Sequence, residues 1–307
     1  MQHKSGTLVT TNKITIEDLQ NLDELSYQIS KVPHYFAGRN ETAYSTALIG
    51  HYINELVRRV DPKKRSVDTF VEEEINKPLN VEFYFRVTEE VFKKRVAYLY
   101  MFPLIKTIYL AVDAYIIEPF RLLMGYEPNK DIDYLKMLLD DSKLMRRGTK
   151  IYEKEFIVDL ANEYETHSLL LPAATLKTNA RSLAKLAALI ANEGEIDGIR
   201  LLSSETVRKA LEKQEPQYDR TLMKNIVRTM GGWGVFDRRS DPENIIGNTN
   251  YIGWQGYGGS VHYFNSDKKF GFSYVMNGMG SPHKEIDPRA LKMLSTFYEL
   301  IEKDFNK

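Results

Sequence analysis

Gly253-Trp-Gln-Gly-Tyr-Gly-Gly-Ser260 runs into Val261-His-Tyr-Phe264 and, past Asn265-Ser-Asp267, into Phe270-Gly-Phe-Ser-Tyr-Val-Met276. Residues 260–264 and 270–276 are rich in aromatic and β-branched side chains and read as two strands. Asn265-Ser-Asp267 supplies the hairpin turn between them. Residues 244–266 form a run of 23 residues with no formal charge and five glycines. Three of those, in Gly256-Tyr-Gly-Gly259, predict a turn whose backbone passes close to another group. A plain surface loop is the competing reading. A terminal helix is predicted over 288–303.

Working outward, the chain upstream of these strands is mostly helical in pattern. Thr15-Ile-Glu-Asp18 has the form of a capping box. Residues 44–60 carry apolar positions at Ala47, Leu48, Tyr52, Leu56 and Val60 and predict an amphipathic helix that stops before Asp61-Pro62. Residues 66–75 repeat the design, with Asn76-Lys-Pro78 as the stop. Residues 179–191 and the segment capped by Ser203 predict two more helices. Helices first, then an antiparallel hairpin and a closing helix, amount to an α+β chain, with no βαβ alternation. One domain over 1–307 is expected, mainly helical over 14–230, with strands and helix over 231–307.

Composition narrows the function. The 42 Lys+Arg balance 42 Asp+Glu, so no overall charge draws the chain to nucleic acid. Without cysteine there is no disulfide framework, zinc ribbon or thiol nucleophile. The six histidines, at 3, 34, 51, 167, 262 and 283, form no ligand-spaced pair, so no metal is expected. No phosphate loop or dinucleotide fingerprint is present, and no cofactor is expected. The most apolar stretch, 96–124, is broken by Lys106, Asp113, Glu118 and Arg121 and by two prolines. Its longest uncharged run, 96–105, is about half the roughly 20 residues a membrane helix needs. A buried or cleft-lining helical pair is expected there, which argues against membrane contact. Residues 1–7 lack the apolar core of a secretory leader, and the cytoplasm is the default expectation.

Several segments fall in a telling order: His3-Lys-Ser-Gly6, Glu41-Thr-Ala-Tyr-Ser-Thr-Ala-Leu-Ile-Gly50, Leu171-Pro172, Thr178-Asn-Ala-Arg-Ser-Leu-Ala-Lys185, and Gly253-Trp-Gln-Gly-Tyr-Gly-Gly-Ser260. Over about residues 3–300 this order resembles the beta-lactamase-related serine hydrolases: class C beta-lactamases, D-Ala-D-Ala carboxypeptidases and family VIII carboxylesterases. Residues 57–78 look especially like animal beta-lactamase-domain proteins. The resemblance implies a beta-lactamase/transpeptidase-like fold in which an incomplete antiparallel sheet joins the helical region.

That family pairs a Ser-x-x-Lys nucleophile with a Tyr-x-Asn or Tyr-Ser-x base and a Lys-Thr-Gly, His-x-Gly or Trp-x-Gly strand segment. The resemblance places Tyr44 at the base position, with Thr46 where the family has Asn. It places Trp254, Gln255 and Gly256 on the strand segment and gives an oxyanion-binding N–H to Tyr257. Trp254 is the esterase-type variant, lacking the cation that grips a beta-lactam carboxylate.

The nucleophile does not follow. In the family, Ser-x-x-Lys lies well before the segment found here at residues 3–6. The three such strings present, Ser182–Lys185, Ser266–Lys269 and Ser281–Lys284, fall in a helix, a hairpin turn and a loop. The expectation is an N-terminally truncated, esterase-like serine hydrolase domain, inactive as written. The alternative is a non-catalytic binding or scaffold paralogue using the former cleft. A small ester or amide is the substrate if a missing N-terminus completes the site, and self-association stays open. Loss of the nucleophile helix further implies that Val261, Tyr263, Phe272, Tyr274 and Met276 lack packing partners.

Overall fold

The structure, a computed structural model, describes residues 2–103, 108, 109, 111–127, 140, 142–154, 161–237, 250–280 and 287–305. Its central element is a four-stranded antiparallel sheet in the spatial order Phe270–Tyr274, Val261–Asn265, Tyr251–Gln255, Gly234–Phe236. The predicted hairpin is present, pairing Phe270 with Asn265 and Tyr274 with Val261. Its turn is fastened by the Asn265 carboxamide oxygen, which accepts the Lys268 N–H at 2.7 Å. The glycine segment contributes a strand as well as a turn, because residues 251–255 pair on both edges.

Helices cover both faces of this sheet. Tyr251, Val261, Tyr263, Phe272 and Phe236 point one way and pack on Ala290, Leu294 and Tyr298 of the Pro288–Phe305 helix. Ile252 and Phe264 point the other way, toward Ala187, Ile190 and Ala191 of the Ala180–Ala191 helix. This corrects the expectation of bare strands. Val261, Tyr263 and Phe272 are buried, and the terminal helix is what covers them. Tyr274 and Met276, nearer the end of the edge strand, are half-buried.

The second core lies in the helical half. Leu19, Leu25 and Ile29 from two short helices, Ile16–Gln20 and Leu22–Ser30, meet Leu48 of the Leu48–Val60 helix and Ile151, Leu169 and Leu171. The Thr15 capping box forms in both directions: Thr15 Oγ1 accepts the Asp18 N–H at 3.1 Å, and Asp18 Oδ2 accepts the Thr15 N–H at 2.8 Å. Leu48–Val60 begins four residues later than its pattern predicts, because residues 43–45 are tied elsewhere. The next helix does not stop at Asn76. It runs from Val67–Val71 through a π-helical turn, Glu72–Asn76, into Lys77–Leu79. Pro78 stands in the first turn of that last segment, where no helical N–H is needed. Ser203 caps its helix as predicted, and Asn179, expected inside the 179–191 helix, is the cap of Ala180–Ala191.

Residues 96–124 also differ from expectation. Where described, they do not form a buried pair: Tyr98, Tyr109, Ile116, Phe120 and Leu123 are exposed, while Ala114 and Glu118 are buried. The extended piece around Tyr100 pairs with Gly278, its N–H donating to the Asn277 carbonyl at 2.7 Å. No described helix is long and apolar enough to cross a membrane.

The helix–sheet contact turns on Gly271. A Cβ there would stand 2.3 Å from Ala188 N and 2.5 Å from Ala184 O, backbone that cannot swing aside. Gly271→Ala is expected to cost about 1–3 kcal/mol, the usual range for overpacking. An unchanged urea midpoint would show that the helix is not seated this closely.

Candidate active site

Tyr44 sits in an extended stretch held at each successive residue. The Ala43 N–H donates to the His3 carbonyl at 3.0 Å, and the Tyr44 N–H donates to Asp219 Oδ1 at 3.0 Å. The Ser45 N–H donates to His3 Nδ1 at 3.1 Å. Residues 43–45 are thus held outside the helix, which begins at Leu48. The Arg220 N–H donates to the Thr42 carbonyl at 2.9 Å, continuing the chain alongside the Gln217–Asp219 strand.

Asp219 ends that strand and is fully buried. Its Oδ1 accepts the N–H groups of Thr221 and Leu222 at 2.9 and 3.0 Å, besides that of Tyr44. Its Oδ2 accepts Nη2 of Arg228 at 2.7 Å, and Arg228 is itself only 4% exposed. The guanidinium carbon lies 5.6 Å from the centre of the Trp254 ring.

Trp254 projects from the Tyr251–Gln255 strand toward the same place. Its ring is stacked on that of Tyr44, with centres 5.8 Å apart and planes inclined by 22°. Gly234 on the neighbouring strand makes room for it, since a Cβ there would be 2.9 Å from Trp254 Cζ3. His3 completes the cluster from the other side, 4.7 Å from Tyr44 between ring centres. Burial raises the Tyr44 phenol above its ordinary range, while Trp254 and the Arg228 cation pull against that rise. Burial and then Arg228 lower His3 to about 4, so its imidazole is neutral near pH 7. Because Nδ1 accepts from Ser45, the proton of that neutral ring resides on Nε2.

The turn after Trp254 is tight. The Gly256 N–H donates to the Ser260 carbonyl at 2.7 Å, and Gly258 and Gly259 have φ of 93° and 117°. The group the glycines approach is the Asp287 carboxylate: a Cβ on Gly259 would stand 2.5 Å from Asp287 Oδ2. Arg289 holds that carboxylate from Nε at 2.9 Å and Nη2 at 2.6 Å. Tyr257 crests the turn, 47% exposed, and its N–H donates to no group among the described residues.

Of the residues singled out from sequence, the structure brings together Tyr44 and Trp254, with Gly256 and Tyr257 on the adjoining turn. Gln255 is turned to the opposite face of the sheet, where its Oε1 accepts the Tyr263 hydroxyl at 2.9 Å. Thr46 Oγ1 packs on Gly148 of the Leu144–Thr149 helix. Ser182 is committed elsewhere: its Oγ accepts the Glu82 N–H at 3.0 Å, and Lys185 pairs with Asp197 at 2.7 Å. Ser266 lies in the hairpin turn, and Ser281–Lys284 lies outside the described residues. Among the described residues no group of three or more His, Asp or Glu could hold a metal ion.

Sequence reasoning missed Asp219 and Arg228. The one local signal for Asp219 is its position opening a turn, where Asp bonds the N–H groups two and three residues on. Nothing local marks Arg228. The cluster can pass a proton at the Tyr44 hydroxyl, and the turn offers a backbone donor to an oxyanion.

The sequence matches the family model described as Beta-lactamase over residues 1–295. A search of curated proteins gives no match. Among solved structures, a penicillin-binding protein homologue from Caulobacter crescentus is 20% identical with a TM-score of 0.71, covering 97% of this chain and 69% of that one. A family VIII carboxylesterase is 19% identical with a TM-score of 0.70, over 97% and 69%. EstA from Arthrobacter nitroguajacolicus Rue61a is 18% identical with a TM-score of 0.72, over 98% and 71%. At such identities the likeness is one of fold.

His3, His51 and His262 are each lowered to about 4 by burial. Below the unfolded value of about 6.5 the unfolded chain binds protons that these folded residues refuse. Stability is therefore expected to fall as pH drops from about 6.5 toward 4. His3→Asn leaves an acceptor for the Ser45 amide and removes one titration, so its loss of urea midpoint over that window should be shallower. Parallel curves for the two proteins would contradict the assignment.

Proposed function

The chain belongs to the beta-lactamase family, and from that premise we propose that Tyr44, Trp254 and the Tyr257 N–H are the proton-handling and strand side of an esterase-like serine hydrolase site. We further infer that the described residues set no nucleophile beside it. The observation that carries this reading is the stacking of Tyr44 on Trp254, at 5.8 Å, from segments some 200 residues apart. Acyl transfer needs a hydroxyl oxygen to bond the acyl carbon while its proton passes to a base and the alcohol leaves with a proton. We take Tyr44 Oη as that base; in support, the Tyr257 N–H is unoccupied among the described residues, as a donor to the developing oxyanion requires.

Trp254 supports esters over beta-lactams. An indole offers no cation for a ring carboxylate, and Arg228 is already buried against Asp219. Small esters, then small amides, are the substrate class. Ser182 cannot serve as nucleophile while its hydroxyl bonds Glu82 and its lysine bonds Asp197.

The purified 307-residue chain is expected neither to hydrolyse short p-nitrophenyl esters or a chromogenic cephalosporin nor to react with a fluorophosphonate probe. Removing a nucleophile leaves only the small residual catalysis of binding and oxyanion donors. Stoichiometric labelling at Ser182, Ser266 or Ser281 would overturn this reading.

A further inference from the structure

The family's Lys-Thr-Gly or His-x-Gly variants place a cation or a cationic ring on the strand; Trp254 does not. The charge has not left the cluster. Arg228 lies 5.6 Å from the centre of the Trp254 ring, and that ring stacks on Tyr44. We propose that Arg228 is a positioning residue of this site, held by Asp219 as the counter-charge of the Tyr44 phenolate. The inference rests on reading Tyr44 as the site's proton-accepting group.

The two members of the pair are solvated unequally by the protein. Asp219 receives four donors: the N–H groups of Tyr44, Thr221 and Leu222 and Nη2 of Arg228. Its negative charge is spread over all four. Arg228 has that one carboxylate oxygen as hydrogen-bond acceptor, and its Nε is buried with no partner among the described residues. Tyr44, Trp254 and His3 are half-buried, and in this partly desolvated site the residual field at Tyr44 is positive. The other groups facing the phenol leave that field unopposed: His3 is neutral above about pH 4, and Trp254 carries no charge. Tyr152 makes the contrast. It is more deeply buried than the half-buried Tyr44, bonds a neutral His51 through its hydroxyl at 2.7 Å, and burial pushes its phenol up.

The test reads proton affinity and not turnover, so it is decided whether or not the chain hydrolyses anything. Tyrosine labelled with carbon-13 at Cζ is titrated by NMR, with Tyr44 assigned by the resonance lost in Tyr44→Phe. In Arg228→Met, Tyr44 should titrate on the order of one pH unit higher than in the unaltered chain. Asp219→Asn leaves the guanidinium and removes the opposing charge, so Tyr44 should titrate lower. Arg228→Lys should restore most of the original midpoint. A purely structural pair predicts shifts of one sign in both neutral variants, and that result, or no shift, overturns the proposal. Should one neutral variant fail to fold, the other decides by its sign: a rise without the guanidinium, or a fall without the carboxylate charge, is expected, and the opposite sign or no shift rejects the counter-charge.

Discussion

The carboxylate of Asp219 is the constraint on which the site depends. A carboxylate with no exposed surface must find donors for both oxygens, or its desolvation would outweigh anything the fold gains. Asp219 finds one on the Tyr44 segment, two in its own turn and one on Arg228. The Tyr44 segment is thereby fixed to the hairpin that carries Asp219 and Arg228, 175 residues from Tyr44 to Asp219. The bond to Tyr44 also has a local consequence. It holds the Tyr44 backbone beside the strand that ends at Asp219, so the side chain stands ahead of Leu48–Val60 rather than within it.

From that point the arrangement follows by packing. Arg228 lies against Trp254, and Trp254 reaches the pair only because Gly234 lacks a side chain. The strand bearing Trp254 is fixed in turn by the helices on its two faces, one seated on Gly271 and the other on Tyr251, Tyr263 and Phe272. The glycine turn after it is pressed on Asp287, which is locked by Arg289. Two buried or half-buried ion pairs thus bracket one strand end. Neither is a strong stabiliser in its own right, since desolvation offsets much of the attraction; what they supply is geometry.

What could be read in the chain was local or periodic. The hairpin, the Thr15 and Ser203 caps and the terminal helix all rest on neighbouring residues, and each is present in the structure. The association of Tyr44 with the Trp254 strand came from segment order, not periodicity. What escaped was tertiary. Leu48–Val60 starts late because of a bond to residue 219, and the helix at 67–79 passes Pro78 through a π-helical turn whose Asn76 amide bonds Phe83. The resemblance puts Trp254 and Gln255 on one strand segment but assigns no faces, and it is the alternation of the 251–255 strand that sends Gln255 away from Trp254. Asp219 and Arg228 have no motif at all. Their meaning lies in what surrounds them.

The charge state of the finished cluster follows from these same contacts. Near neutral pH, His3 is held neutral by burial, Tyr44 keeps its proton, and Trp254 has no charge. The charges left are one anion and one cation, joined to each other at 2.7 Å. A cluster of zero net charge with an aromatic wall gives no long-range attraction to an anionic ligand and no penalty to a neutral one. The same balance makes the cluster sensitive to its own protonation. Adding a proton to His3 places a second cation near Arg228, and the partial burial of the cluster weakens screening by water.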